Sequence, residues 1–262
     1  MGFASRLCYP LRVSTPTLAP VAVAQRHSLL VRVTHWIMVI AFFALLITGG
    51  EIVISHPRFY WGETGNSGTD VLFKIPIPAS RGSVPTGYNY ELPDANGWGR
   101  YLHFEAAWVL VLTGLIYVVA GLLNAHFRND LLPPPGERNW RAVVAVFKRY
   151  LRRARPDERD NRAYNVVQRL SYLVVIFGLF PLVIWTGLAL SPMFDAAVPA
   201  TVNLLGGRQS ARTLHFLVSD LLVAFLVVHI TMIVLAGFWK RTVPMFTGRA
   251  ESSPQPFATE QR

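Results

Sequence analysis

The chain has 262 residues, of which 52% are hydrophobic and 15% are charged, with a formal net charge of +10 and a mean hydropathy of +0.34. A soluble domain of this length needs more charge to cover its surface, and no basic stretch alternates with aromatic residues as in a nucleic-acid-binding groove. Cys8 is the only cysteine, which excludes an intrachain disulfide, an iron–sulfur cluster held by this chain alone and a covalently attached haem.

Four apolar segments along the chain are each long enough to cross a bilayer, which takes about 20 residues. They cover about residues 33–54, 101–125, 170–190 and 213–239. The sequence therefore predicts an all-α integral membrane four-helix bundle as a single domain, over residues 32–245.

The segments outside the bundle are assigned by the distribution of basic residues. Arginine and lysine concentrate in the loop 126–169 and in both tails, 1–31 and 246–262, so these parts are expected in the cytoplasm. The stretch Ala22-Val23-Ala24 resembles a signal-peptide cleavage site, but Pro16 and Pro20 interrupt the apolar run before it. We therefore expect an N-terminal cytoplasmic tail. The loop between the first two helices lies outside, and its many Gly, Pro and Asn residues predict an irregular, folded cap.

Four histidines fall within the predicted helices. His35 begins the first, His103 begins the second, and His215 and His229 both lie on the fourth. Ionisable residues inside a membrane are costly and usually functional, although any one of these imidazoles could simply hydrogen-bond a neighbouring helix. His215 and His229 are 14 residues apart, so they share one helix face and lie about 21 Å apart along it.

The topology pairs these histidines at two depths of the membrane. The first helix enters from the cytoplasm, which brings His35 to the depth of His229. The second helix enters from outside, which brings His103 to the depth of His215. Axial ligation of a b-type haem by two imidazoles needs two histidines that face each other from different helices, which helix bundles commonly provide. We therefore predict two haem b groups, each iron held by one of these pairs.

Three of the four histidines follow an arginine by three residues. The arginines are Arg32, Arg100 and Arg212. Residues three apart lie on the same helix face, so each arginine could pair with the propionates of a haem at the membrane boundary. The alternative is an arginine at a helix end whose side chain reaches the aqueous interface.

Four sequence segments carry a resemblance to a known family. They are RVTHW, RYLHF and YNVVQRLSYL, which open the first three helices, and RTLHFLVSDLLVAFLVVH in the fourth, with its His–x13–His spacing. Over residues 28–245 the chain resembles the bacterial and nickel-hydrogenase cytochrome b family, which includes formate dehydrogenase gamma subunits. The segments FYWGETG and IPIPAS most resemble the membrane-anchoring cytochrome b of the thiosulfate-reductase type.

The resemblance implies the same two haems with the same ligand pairs. It also implies electron exchange between a membrane quinone and a partner subunit of molybdopterin or iron–sulfur type on the periplasmic side of a bacterial inner membrane. Asn165 and Gln168 match the family's N-x-x-Q segment near the quinone. Their amides could hydrogen-bond a quinone, or could be polar residues at a helix start.

Three functions remain open at this point. The protein could be an electron-transfer subunit that anchors its partner and performs no substrate chemistry. It could be a self-contained quinol oxidase that passes electrons to a small acceptor such as superoxide. It could also be a haem-free membrane anchor. The long outer loop favours the first, because a small diffusing acceptor needs no docking surface.

Overall fold

The computed structural model describes residues 28–66, 68–76, 98–152 and 166–248. In chain order the helices and strands are α1 (Leu29–Ser55), β1 (Arg58–Phe59), β2 (Phe73–Lys74), α2 (Trp98–Leu123), α3 (Trp140–Leu151), α4 (Val166–Val174), α5 (Phe180–Ala189), α6 (Pro192–Ala197), α7 (Ala200–Asn203), α8 (Arg208–Leu235) and α9 (Phe238–Thr247). A π-helical turn and a 3-10 turn, Phe127–Leu131 and Pro135–Glu137, lie between α2 and α3.

Four helices in the described part of the chain are long and apolar enough to cross a membrane. They are α1, α2, the span Val166–Ala189 and α8, which confirms the predicted fold class. Each begins three to five residues before its predicted start. The prediction placed each start at the beginning of the apolar run. A helix can begin earlier, because an arginine in its first turns can extend its charged end to the interface.

The third span is an interrupted helix. Its first part, α4, is followed by a π-helical turn at Val175–Leu179 and then by α5, which has Pro181 in its first turn. Proline has no N–H to donate, so a regular hydrogen-bond ladder cannot run through this point and the backbone adjusts locally. The interruption lies one to two turns before the part of α5 that reaches the functional site.

The spanning helices associate as two pairs. α1 runs along α2, and α5 runs along α8. At the outer end of the first pair, the carboxyl group of Glu51 lies directly against Gly99, where any side chain would collide with it. Apolar side chains point away from the helices, as Ile40 and Leu123 do with 71% and 81% of their surface exposed. Such exposure suits a lipid environment, where apolar surface needs no protein cover.

The loop after α1, which the sequence predicts on the outer side, forms a small folded unit that we call the outer cap (residues 56–66 and 68–76). Its strands β1 and β2 pair antiparallel. The ring of Phe59 is 2% exposed and packs against Phe73 and Phe216, at centroid distances of 4.7 and 4.4 Å. Phe216 belongs to α8, so the aromatic cluster joins the cap to the fourth span. The remainder of the predicted loop, residues 77–97, lies outside the described residues.

Hydrogen bonds fix the outer cap to the start of α8. The N–H of Gly62 donates to the Ser210 hydroxyl at 2.7 Å, and the Thr213 hydroxyl donates to the Tyr60 carbonyl at 2.7 Å. Gly207, the residue before α8, has a φ of +107°, and a Cβ there would lie 2.6 Å from the carbonyl carbon of Gly62. A glycine is therefore required at this contact.

Two helices outside the membrane spans were not predicted. α3 is amphipathic, and α9 begins after Gly237, whose φ of +92° ends the fourth span and turns the chain. α9 returns to α1, where the indole N–H of Trp36 donates to the Met245 carbonyl at 3.2 Å and the indole stacks on Phe246. Both helices are short and mixed in polarity, so they lack the long apolar run by which the spanning helices were recognised.

The contact at Gly207 gives a first prediction. Substitution Gly207→Ala should loosen the outer cap, because the added methyl group meets the Gly62 backbone and the positive φ costs about 1–3 kcal/mol. Hydrogen exchange of the amides in residues 56–66 should accelerate. The control is Gly114→Ala, where an added Cβ meets nothing within 4 Å. Equal exchange in both variants would contradict the assigned docking of the cap.

Candidate functional site

The structure brings together the histidines predicted for the outer site. His103 on α2 and His215 on α8 have ring centroids 6.3 Å apart, with the ring planes at 68°. Both side chains are partly buried. The two rings therefore face one another across the two helix pairs.

A threonine of α1 orients the ring of His103. The hydroxyl oxygen of Thr48 lies 2.9 Å from His103 Nδ1 and 2.7 Å from the carbonyl oxygen of Ala44. A carbonyl only accepts, so we assign the single hydroxyl proton to the bond with Ala44, and the hydroxyl oxygen then accepts from Nδ1–H. The proton of His103 thus resides on Nδ1, and Nε2 carries a lone pair.

His215 is held in the same way by α5. Its Nδ1 lies 3.0 Å from the hydroxyl of Thr186, which donates to the Leu182 carbonyl at 2.9 Å. The same Nδ1 lies 3.1 Å from the carbonyl of Val183, which can only accept. The proton of His215 is therefore also on Nδ1.

A glycine beside each threonine allows the ring to lie close to the helix that holds it. An added Cβ at Gly187 would lie 3.2 Å from His215 Cε1, and one at Gly49 would lie 3.6 Å from His103 Cε1. The first distance is tighter than an ordinary carbon contact, whereas the second is not. The His215 side is therefore the more closely packed.

The arrangement fits a bis-histidine haem iron. With metal–imidazole bonds of about 2 Å and about 1 Å from each nitrogen to its ring centre, the two ring centres of such a site are about 6 Å apart. The observed separation is 6.3 Å, and both rings keep Nε2 for a metal. Among the described residues, no group of three or more His, Cys, Asp or Glu side chains could hold a metal ion. Two neutral imidazoles suit haem, whose porphyrin supplies the other ligands.

Two of the predicted arginines converge at the outer end of the bundle. Arg212 Nη2 donates to the carbonyls of His56 and Arg58, at 2.7 and 2.6 Å. Burial lowers the pKa of His56, and the guanidinium groups of Arg212 and Arg100 lower it further. Positive charge is therefore concentrated above the outer histidines, and the contact of either arginine with haem propionates stays a prediction.

The two histidines predicted for the cytoplasmic site lie in a more aromatic environment. His35 packs edge-on against Trp36, at a centroid distance of 5.3 Å. His229 stacks on Phe225 at 5.7 Å and meets Tyr172 edge-on at 6.2 Å. The pairing of His35 with His229 stays a prediction.

Arg32, the third of the predicted arginines, joins the start of α1 to α9. Its guanidinium donates to the carbonyls of Met245 and Phe246. The contact fixes this end of the bundle beside His35. A role of Arg32 toward haem propionates stays a prediction.

Of the predicted quinone residues, the structure describes one. Gln168 lies in the first turn of α4, and Asn165 lies outside the described residues. Neighbours of Gln168 line an open cavity of about 340 Å³ between α3, the third span and α8. Its lining is apolar apart from Ser171, and Phe225 forms its wall on α8. The quinone assignment stays a prediction.

Comparison with known proteins identifies the family. The sequence pattern described as prokaryotic cytochrome b561 matches residues 26–248. The chain belongs to this family. It is also 31% identical over 209 residues to a protein of Azospira oryzae named putative protein-methionine-sulfoxide reductase subunit YedZ1. This match covers 80% of this chain and 90% of that relative. No solved structure matches.

Family membership has two consequences. The chain is a multi-pass membrane electron-transfer subunit, and the family implies a haem b cofactor. The general resemblance drawn from the sequence is thereby confirmed. Its finer assignment to the thiosulfate-reductase type stays a prediction.

Sequence reasoning missed the residues that hold the histidines. Thr48 and Thr186 each precede a glycine, and this Thr-Gly pair near the outer ends of the first and third spans is the available signal. It is weak, because Thr113-Gly114 repeats it within α2. Which threonine faces an imidazole depends on the helix rotation, which the chain order does not give.

The close contact at Gly187 yields a second prediction. Substitution Gly187→Val should displace the His215 ring and weaken haem binding at this pair about tenfold, a usual cost of disturbing the surroundings of a metal ligand. The haem-to-protein ratio of the purified protein measures it. Gly50→Val is the matched control, since an added Cβ at Gly50 meets nothing within 4 Å. Equal haem content in the two variants would show that the contact is unimportant.

Proposed function

We propose that this cytochrome b561 family member is a dihaem subunit that transfers electrons across the membrane between the quinone pool and an oxidoreductase on its outer side, which it also anchors. The observation that carries the proposal is the His103–His215 pair, with its ring separation of 6.3 Å and both protons on Nδ1. These are the requirements of a haem ligated by two neutral imidazoles.

The second haem is assigned to His35 and His229. His229 lies on the same helix as His215 and about 21 Å further along it, by the rise of a regular helix. Aromatic rings flank His229, and aromatic side chains provide an apolar surface for a macrocycle. Two haems at the two ends of α8 would divide the membrane crossing into two shorter electron transfers.

A haem, when bound, alternates between ferric and ferrous iron and so carries one electron at a time. The residues of this chain would hold it between two imidazoles and would set its surroundings. His103 and His215 present Nε2 from opposite helix pairs, while Thr48 and Thr186 fix the ring orientations. Arg100 and Arg212 place positive charge near the outer boundary, where propionates would lie.

The quinone is assigned to the cytoplasmic side, near the start of α4. The open apolar cavity of about 340 Å³ falls within the size range of ligand pockets and lies beside Gln168 in the chain. One of its walls is Phe225, which stacks on His229. A quinone there would lie one aromatic ring away from a ligand of the inner haem. Asn165 belongs to the same assignment by its place in the sequence.

The partner is assigned to the outer, periplasmic face of a bacterial inner membrane, with both termini of this chain in the cytoplasm. The basic residues of the tails and of the loop 126–169 support this orientation. The outer cap offers an ordered protein surface above the outer haem. The name of the relative from Azospira oryzae, a putative reductase subunit, favours electron flow from quinol outward to a reductase. That this partner is of molybdopterin or iron–sulfur type is what the family resemblance implies.

Haem content of histidine variants tests the proposal. We expect about two haem b per chain, with His103→Ala and His215→Ala each losing the outer haem and His229→Ala losing the other, because each variant removes one of the two iron–imidazole bonds by which the proposed site binds haem. Pyridine haemochrome absorbance and redox titration measure the number and identity of the haems. Full haem content in the His215→Ala protein would refute the ligand assignment, and a haem-free wild type supplied with haem would indicate a plain anchor.

The direction of transfer is tested separately with a water-soluble quinol. Reduction of the outer haem should be slowed strongly in His229→Ala, because the electron must pass the inner haem. Reduction of the inner haem should persist in His215→Ala. Stopped-flow absorbance of the two variants gives both rates. Reduction of the outer haem at the wild-type rate in His229→Ala would place the quinone on the outer side. Sustained quinol oxidation by the isolated chain with superoxide would favour a self-contained oxidase.

A further inference from the structure

We propose that Thr48 and Thr186 are positioning residues that lower the reduction potential of the outer haem by accepting the Nδ1–H of its two ligands. The inference rests on the proposed ligation of that haem by His103 and His215.

The two threonines occupy equivalent places in the two helix pairs. Thr48 of α1 reaches the ligand on α2, and Thr186 of α5 reaches the ligand on α8, with oxygen–nitrogen distances of 2.9 and 3.0 Å. Each hydroxyl is also bonded to the carbonyl four residues earlier in its own helix. The same combination thus occurs on both sides of the site.

Burial makes each hydroxyl hard to replace. Thr48 and Thr186 are both 0% exposed, so water has no direct access to substitute for a lost hydroxyl. In a low-dielectric interior, an imidazole N–H that has lost its acceptor carries a large penalty. The ring would reorient or its electronic properties would change.

The chemical effect follows from the position of the proton. Because the hydroxyl proton is donated to the helix carbonyl, the hydroxyl oxygen acts only as an acceptor toward the imidazole. Accepting the Nδ1–H increases electron density on the ring and makes Nε2 a stronger donor to iron. A stronger donor stabilises ferric over ferrous iron, which lowers the reduction potential.

The two histidines differ in the number of acceptors around Nδ1. His215 Nδ1 has a second acceptor, the carbonyl of Val183 at 3.1 Å, whereas Thr48 is the acceptor that the described residues give His103. Loss of the hydroxyl at position 186 leaves a partner in place. Loss of the hydroxyl at position 48 removes the acceptor that the described residues give His103 Nδ1. The potential should therefore depend more on Thr48 than on Thr186.

The experiment is a redox titration of the full-length, haem-loaded protein in lipid nanodiscs, combined with electron paramagnetic resonance of the ferric haems. Thr48→Val keeps the shape of the side chain and removes the hydroxyl. We expect the preference of the outer site for ferric over ferrous haem to fall about tenfold, an upward shift of about 59 mV for one electron. Thr186→Val should shift the potential in the same direction by less.

Rescue and control variants separate the hydrogen bond from packing. Thr48→Ser and Thr186→Ser retain the hydroxyl and should restore the wild-type potential and resonance signals. Thr231→Val removes the same kind of bond, from the Thr231 hydroxyl to the Val227 carbonyl, at an exposed position of α8, and should leave the outer haem unchanged. If Thr48→Val loses the outer haem while Thr48→Ser keeps it, the requirement for the hydroxyl is established by occupancy instead.

Other outcomes overturn the inference and identify what failed. An unchanged potential and unchanged resonance signals in both valine variants would overturn it, as would equal shifts in the serine and valine variants. If these results accompany loss of the outer haem in His103→Ala and His215→Ala, only the role of the threonines is wrong. If those histidine variants keep both haems, the proposed ligation itself is wrong.

Discussion

An imidazole placed among apolar helices must find a partner for each of its nitrogens, and this constraint organises the outer half of the molecule. One nitrogen of His103 and of His215 is bound to a threonine of the adjacent helix, and that bond decides which nitrogen remains for a metal. The helix pairs α1–α2 and α5–α8 are thus each locked in rotation by a polar contact at the same level. Hydrocarbon surroundings provide no water to compete for these bonds, so each one restricts how its two helices pack.

The sequence predicted the parts of this arrangement that depend on chain direction and length. Apolar length gives the four spans, and alternating direction gives the common depth of His103 and His215, which the structure places with ring centres 6.3 Å apart. The rotation of each helix about its axis was not predictable in the same way. Thr48 and Thr186 are β-branched residues in apolar segments, and nothing local distinguishes them from Thr113.

The outer cap illustrates a second limit of prediction from sequence. Its many turn-forming residues predicted a folded unit, but the contacts that hold it join residues about 150 positions apart, such as Gly62 and Ser210. Short strands and tight turns gain their stability from such distant partners rather than from their own sequence. α9 shows the same behaviour at the opposite end of the bundle, where the Met245 carbonyl accepts hydrogen bonds from Trp36 and Arg32 and the Phe246 ring stacks on Trp36.

Arg212 gives the cap a mechanical connection to the redox site. Its guanidinium is bonded to backbone carbonyls at the base of the cap, and it lies one helical turn before His215. A protein that pressed on or lifted the cap would move these carbonyls, and with them a full positive charge close to the proposed outer haem. Since a nearby positive charge favours the more reduced, less positive iron, docking and electron affinity become linked quantities. The driving force for electron transfer would then depend on whether the acceptor is in place, which would limit the loss of electrons to other oxidants.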